Sequence, residues 1–152
     1  MGEIRLAFAF DLAAEIAPTI ELGMGPRGER RTVPILAGSF EGPRLKGTLA
    51  PGGIDWQILR ADGVTEIEAH YALQTDDGAL IRVINKGFRH GPPEAMLRLA
   101  QGEAVSPGEY YFRAAPSFEA PQGRYDWLNR SLFISSGERS SQSVLLHFYE
   151  VL

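Results

Sequence analysis

Apolar and polar residues alternate through much of this chain. Ile4, Leu6, Phe8, Phe10 and Leu12 share one parity, while Glu3, Arg5, Ala7, Ala9 and Asp11 share the other. A period of two predicts a strand with one buried face. Residues 15–24 read as a second strand, with Pro18 suited to an edge or bulge. Residues 31–40 form a third extended stretch, broken by Pro34 and Gly38. Two more, 45–50 and 54–60, flank the turn Pro51-Gly52-Gly53. Ile67, Ala69, Tyr71, Leu73 and Thr75 then alternate against Glu66, Glu68, His70 and Gln74. After Asp76-Asp77-Gly78, a turn favoured by the positive φ that Asp-Gly supplies, residues 79–88 return as the hairpin partner.

Residues 92–101 carry the helix signals. Pro92 and Pro93 suit a first turn, Glu94 suits the positive helix end, and Gly102 can stop the helix. Strands over 109–115, 132–136 and 141–151 complete the pattern, with a loop at 121–130 that holds a single helical turn at 125–129. About ten short strands and one short helix predict an all-β chain folded as a single antiparallel β-barrel domain, residues 1–152. The last strand is apolar on both parities, Val144, Leu146 and Phe148 against Leu145, Tyr149 and Val151. One face can line the barrel, and the other then needs the helix or a second subunit, so a homodimer is expected.

Composition supports this picture and removes several chemistries. The 17 glycines and 10 prolines are well above the average combined usage of roughly 12 %, as many tight turns require. With no cysteine there is no disulfide, thiol nucleophile or cysteine metal site. His70, His90 and His147 are too far apart to suggest a ligand set, so no metal and no cofactor is expected. The cations are thirteen arginines with Lys46 and Lys86, densest at Gly28-Glu29-Arg30-Arg31, and the net charge is −4. That balance argues against nucleic acid. No apolar run approaches a membrane span, and residues 1–17 lack a leader pattern, so a cytoplasmic protein with no membrane partner is expected. Gly23-x-Gly25-x-x-Gly28 spells a dinucleotide fingerprint, but Pro26 and Pro34 deny it the helix start that the mechanism needs, and a turn is the better reading. No Gly-x-Ser-x-Gly elbow is present.

Polar and aromatic residues on strands are the candidate site. Tyr71 shares a parity with Ile67 and Leu73, and Asn85 with Ile81 and Val83. Asp55-Trp56 follows the glycine turn. Tyr111 and Arg113 lie on one face of their strand, with Tyr110 and Phe112 on the other; Glu119, Tyr125, Trp127, Asn129 and Arg139 follow. Facing inward, Trp56, Tyr71, Asn85, Tyr111, Arg113, Trp127 and Asn129 would suit a small aromatic or carboxylated ligand, with rings supplying area and Arg or Asn fixing orientation. Otherwise the aromatics are ordinary core, and Arg113 pairs with Glu119.

The motifs Gly42-Pro43-x-x-x-Gly47, Pro51-Gly52-Gly53-x-Asp55-Trp56, Asp76-Asp77-Gly78, Tyr111-Phe112-Arg113, Phe118-Glu119 and Tyr125-x-Trp127-Leu128-Asn129 together resemble a small bacterial and fungal family, domain of unknown function 3237. The resemblance runs from about Phe8 to Val151. It implies one β-barrel domain and no settled activity, and its motif positions mark Asp55, Trp56, Asn85, Arg113, Glu119, Trp127 and Asn129 as candidates. Three function classes follow. The first is a small-molecule-binding barrel. The second is a cofactor-independent isomerase, cyclase or lyase on a small organic acid, with Asp55 or Glu119 as base, Tyr111 as acid and Arg113 as clamp. The third is a structural or interaction protein.

Overall fold

The computed structural model describes residues 2–152. Ten strands close into an antiparallel barrel: β1 (Leu6–Ile16), β2 (Ile20–Gly25), β3 (Gly28–Glu41), β4 (Lys46–Leu49), β5 (Gly53–Leu59), β6 (Thr65–Thr75), β7 (Leu80–His90), β8 (Tyr111–Glu119), β9 (Leu132–Arg139) and β10 (Ser143–Val151). A single helix, α1 (Pro93–Ala100), follows β7. Neighbours run β1-β10-β9-β8-β7-β6, then through β4 and β5 to β3, which closes on β1.

Ten strands occupy eight positions in the wall. β1 and β2 run in the same direction along one side of β3, and β4 and β5 do the same along the other. Each pair is one stave broken at a proline. Pro18 lies in the first gap, where the Ala17 amide donates to the Pro34 carbonyl at 2.9 Å. Pro51 lies in the second, beside Gly52 at φ +97°. A proline cannot donate to a ladder, so each stave breaks there and resumes two residues later.

Three local expectations change. β3 is continuous through Pro34 and Gly38, because Gly38 lets β1 come close: a Cβ there would run into the Ala13 carbonyl. The strand expected over 15–24 is divided, with Glu15 and Ile16 completing β1. The apolar stripe of β1 does not face one way. A bulge between Phe8 and Phe10, seen against β10, leaves Leu6 and Phe8 about half exposed at 51 % and 46 %, while Phe10 and Leu12 are buried.

The interior has two unlike ends. At the closed end Phe10 stacks on Phe148 at 4.3 Å and meets Phe40 and Phe118 edge-on. Phe118 also meets Phe133. The helical turn at Asp126–Asn129, close to the 125–129 expected, plugs this end with Trp127 and Leu128. The Tyr125 hydroxyl ties the plug to Asp77 in the β6–β7 turn at 2.8 Å. At the open end α1 lies across the mouth, burying Ala95 and packing Met96 and Leu99 against the core. No helix among the described residues is long and apolar enough to cross a membrane.

Candidate functional site: a polar chamber at the open end

The site is built from the inward parity of β5, β6, β7 and β9. On β5 the inward residues are Gly53, Asp55 and Gln57, whereas Trp56 faces out and is 39 % exposed. Tyr71 on β6 and Asn85 and Arg89 on β7 continue the set, and Arg139 closes it from the end of β9. Asp55, Tyr71, Asn85, Arg89 and Arg139, with Leu12, Ala14, Ile67, Ala69, Phe112 and Leu146, line a chamber of about 50 Å³. A second concavity of about 550 Å³ lies under α1, and Arg89 and Arg139 line both spaces. They form a neck between an inner chamber and an outer vestibule, which Arg31 also lines.

A relay of side chains holds Asp55. The Arg31 Nε donates to the Gln57 Oε1 at 2.9 Å, and the Gln57 Nε2 donates to the Asp55 Oδ2 at 2.7 Å. The other oxygen, Asp55 Oδ1, is sealed from solvent with no partner. The Tyr71 hydroxyl and Asn85 Oδ1 are in the same condition. Among the described residues, three of the four buried side-chain atoms without a hydrogen bond lie around this chamber. Each such atom costs roughly 1–3 kcal/mol in lost hydration, which native cores rarely tolerate in a cluster.

Charge deepens the mismatch. Arg89 is 8 % exposed, stands 5.5 Å from the Phe112 ring centroid, and has no carboxylate within 4.0 Å among the described residues. Burial first, then the neighbouring Arg139, pulls its pKa down to about 10. Burial likewise lowers Arg139. Burial pushes the Asp55 carboxyl upward, against the opposing pull of the Gln57 hydrogen bond, Arg89 and Arg139. Tyr71 rises too, by burial and by the nearby Asp55 charge. Three arginines thus face one carboxylate whose charge the site itself disfavours.

Of the residues singled out by sequence, the structure brings Asp55, Tyr71 and Asn85 together. The others it places elsewhere. Tyr111 is exposed and stacks on His90 at 4.8 Å. Arg113 lies on the same outer face, its Nη1 donating to the Phe112 carbonyl at 2.9 Å. Phe112 takes the inward parity of β8 because burying its ring is favourable where burying Arg113 unpaired is not. Glu119 is exposed, and its ion-pair partner is Arg82 at 3.7 Å rather than Arg113. Trp127 belongs to the closed-end core beneath the Arg44 guanidinium, 3.9 Å from its ring centroid. Asn129 braces a loop, accepting from the Ala120 amide at 2.7 Å and donating to its carbonyl at 3.0 Å. Trp56 lines a shallow outer groove of about 710 Å³ with Phe88, His70 and Lys86. Charges there are largely satisfied, with Arg27 on Glu66 and with Lys86 and His70 on Glu68. The chamber is the smaller space but the one with unmet chemistry. Arg31 and Arg89 entered no sequence-derived candidate set, although Arg89 extends the parity of Ile81, Val83 and Asn85. His147 faces outward between Asp11 at 2.5 Å and Glu138 at 3.7 Å. No group of three or more metal-ligating side chains occurs among the described residues.

Comparison with known proteins agrees with this architecture. A UPF0311 protein of Rhodopseudomonas palustris is 39 % identical over 98 % of this chain and 97 % of its own. A crystal structure from that organism, of a conserved protein of unknown function, superposes over 100 % of both chains with a TM-score of 0.96 and 38 % identity. A β-barrel-like protein of Acinetobacter baumannii matches over 100 % of this chain and 98 % of its own, with a TM-score of 0.87 and 39 % identity. An enzyme from Penicillium herquei, 21 % identical with a TM-score of 0.73 over 100 % of this chain and 97 % of its own, shares the fold alone. The model of the family described as protein of unknown function (DUF3237) matches residues 4–151, and the chain belongs to that family.

Proposed function

We propose that this barrel binds a small molecule at its open end, with a short polar arm in the chamber and its body in the vestibule. The observation that carries this reading is the convergence of Asp55 Oδ1, Tyr71 OH and Asn85 Oδ1, three unpartnered polar atoms, on one chamber. Size decides how the ligand divides. An apolar cavity that admits a benzene ring measures about 150 Å³, so a chamber of about 50 Å³ takes a hydroxyl, carbonyl or short chain and not a ring. The vestibule, at about 550 Å³, lies within the range of roughly 300–1,000 Å³ typical of small-molecule sites. The aromatic portion of a ligand therefore belongs outside the neck, not in the lumen.

The test is fragment binding by native mass spectrometry and calorimetry, using hydroxy- and oxo-compounds of four to eight heavy atoms. Binding is expected to weaken about tenfold or more in Asn85→Leu, which fills the chamber with a side chain that offers no hydrogen bond. A protein that binds none of these fragments at millimolar concentration, or binds them equally well in Asn85→Leu, overturns the reading.

One feature favours proton transfer as a second reading. A carboxyl raised by burial, held at one oxygen by Gln57 and closed off from solvent without a partner at the other, is how a general base or acid is poised. Asp55 and Tyr71 would act there; Glu119 and Tyr111 lie outside the barrel.

A further inference from the structure

The neck carries more than a general polar preference. Resting on the reading that the open end binds a small molecule, we infer that Arg89 and Arg139, with Arg31 behind them, form a subsite for the oxyanion group of that ligand. Arg89 is a cation more than nine-tenths buried, its guanidinium at the junction of chamber and vestibule with no carboxylate in salt-bridge range. Its nitrogens make no hydrogen bond and are not among the sealed atoms, so they open to the vestibule, where an incoming anion can pair with a guanidinium that burial has already stripped of most of its water. Arg139 keeps its Nη groups for such a ligand, since its Nε is spent on the Ser140 carbonyl at 2.9 Å. Arg31 is turned toward Gln57 and Thr65, so it adds charge behind the subsite more than direct contact. Asp55, the carboxylate nearest the cluster, is tied to Gln57 and does not reach Arg89. A planar guanidinium fork matches carboxylate and phosphate alike, so the shared chemistry is an oxyanion. Its place at the neck puts the acid group beside the arm that enters the chamber.

Thermal unfolding of the full chain tests this with acetate, inorganic phosphate and acetamide, chloride balancing the ionic strength. Acetamide has the shape of acetate without its charge. Acetate or phosphate is expected to raise the melting temperature saturably and acetamide not to. Arg89→Met should weaken the anion response at least tenfold, and Arg113→Met, on the outer surface, should leave it intact. Acetate alone marks a carboxylate ligand, and phosphate alone a phosphoryl one. An equal response to acetamide and acetate overturns the oxyanion subsite while leaving the chamber reading standing. So does an anion response that survives in Arg89→Met, or no response to either anion. Loss of Arg89 that destabilises the anion-free protein also overturns it, because a structural arginine does that and an uncompensated one does the reverse.

A separate observation concerns the outer wall. The bulge in β1 turns Leu6 and Phe8 outward, where the register aligns Leu6 with Val151 and Leu132, and Phe8 with Tyr149 and Ile134. Leu132 is 78 % exposed. The chain exposes 8768 Å², whereas a compact monomer of 16.7 kDa exposes about 7,600 Å². The surplus, about 1,200 Å², is more than the roughly 800 Å² that each partner buries in a standard interface. We infer that a second copy of the chain covers this β1–β10–β9 face about a two-fold axis. With that axis perpendicular to the strands, Asp11 and Glu138, beyond one end of the patch, lie toward Arg5 and Arg130 beyond the other end of the mate. Light scattering at micromolar concentration should give a dimer, and Leu132→Asp with Ile134→Asp a monomer of unchanged far-ultraviolet circular dichroism. A wild-type monomer overturns this, as does a dimer that survives these changes and falls apart instead in Leu22→Asp on the unpaired edge of β2.

Discussion

At the scale of single residues, the chemistry rests on Asp55 and Arg89, which hold each other's titration in check. Burial favours the protonated form of Asp55, and the positive charge of Arg89 favours the ionised form. A carboxyl whose folded pKa lies above its unfolded one stabilises the fold below the unfolded value. That contribution is lost as pH rises from there through the folded value. Carbon-detected NMR should therefore find Asp55 titrating above the ordinary carboxylate value of about 3.9. In Arg89→Met the midpoint should move higher still, because the opposing charge is gone. A wild-type Asp55 that titrates at the ordinary value removes the proton-transfer reading. Tyr71→Phe isolates the second orphan: deleting a hydroxyl with no partner should leave melting unchanged or raise it by up to about 3 °C, roughly 1 kcal/mol in a chain of this size.

Legibility at this scale follows from parity. Tyr71 and Asn85 share a face with Ile67, Leu73, Ile81 and Val83, so their inward aim is readable from alternation alone. β5 defeats the same logic. Its apolar residues Ile54, Trp56 and Ile58 point outward and its polar ones, Asp55 and Gln57, point inward. The larger ring suggests the wrong face. Arg139 takes its meaning from how far β9 runs: a strand expected to end at Ser136 continues to residue 139 and carries the arginine to the neck.

At the scale of elements, backbone proximity between staves governs what the sequence tolerates. Gly87, in the middle of β7, packs against β8 so closely that a Cβ would collide with the Arg113 carbonyl and with Ala114. The colliding atoms are backbone and a Cβ, with no flexible end to move, so Gly87→Ala should lower the melting temperature by about 3–9 °C, the equivalent of roughly 1–3 kcal/mol of overpacking. Gly25, whose added Cβ would meet only the Gly28 carbonyl at 3.6 Å, should accept the same change with little effect. Differential scanning calorimetry of the two variants makes the comparison. The hairpin of β6 and β7 and the helix follow their sequence signals almost residue for residue, because alternation, Asp-Gly and Pro-Pro are all local. The bulge in β1 leaves no such trace. Five apolar residues at even spacing look identical whether or not the chain gains a residue against its partner, and only the pairing with β10 shows where the stripe turns over.

For the whole molecule, the two ends differ in what holds them. The closed end is a contiguous set of aromatic contacts around Phe10, Phe118 and Phe148, sealed by Trp127 and tied by Tyr125 to Asp77. The open end trades such contacts for polar side chains without partners, beside a wall whose staves break at Pro18 and Pro51. Native-state hydrogen exchange should reflect this division. Amides of β7 near Ile81 and Val83 are expected to exchange only through global unfolding, and those of β5 and of β6 near Thr65 through smaller openings. Uniform protection along β6 and β7 would show that the barrel opens as one unit. The barrel itself was readable from strand count and turn spacing. Its reduction from ten strands to eight wall positions was not, since a proline gap and a true turn have the same residues.

The two broken staves have a consequence for inheritance. They flank β3 on either side, so the wall around the mouth includes two short segments, β2 and β5, while the aromatic end draws Phe10 from β1. Asp55 and Gln57 ride on β5, whereas Tyr71, Asn85, Arg89 and Arg139 stand on long staves that also carry the core. A lineage, or an engineer, can vary the β5 side of the site at less cost in stability than the rest of it.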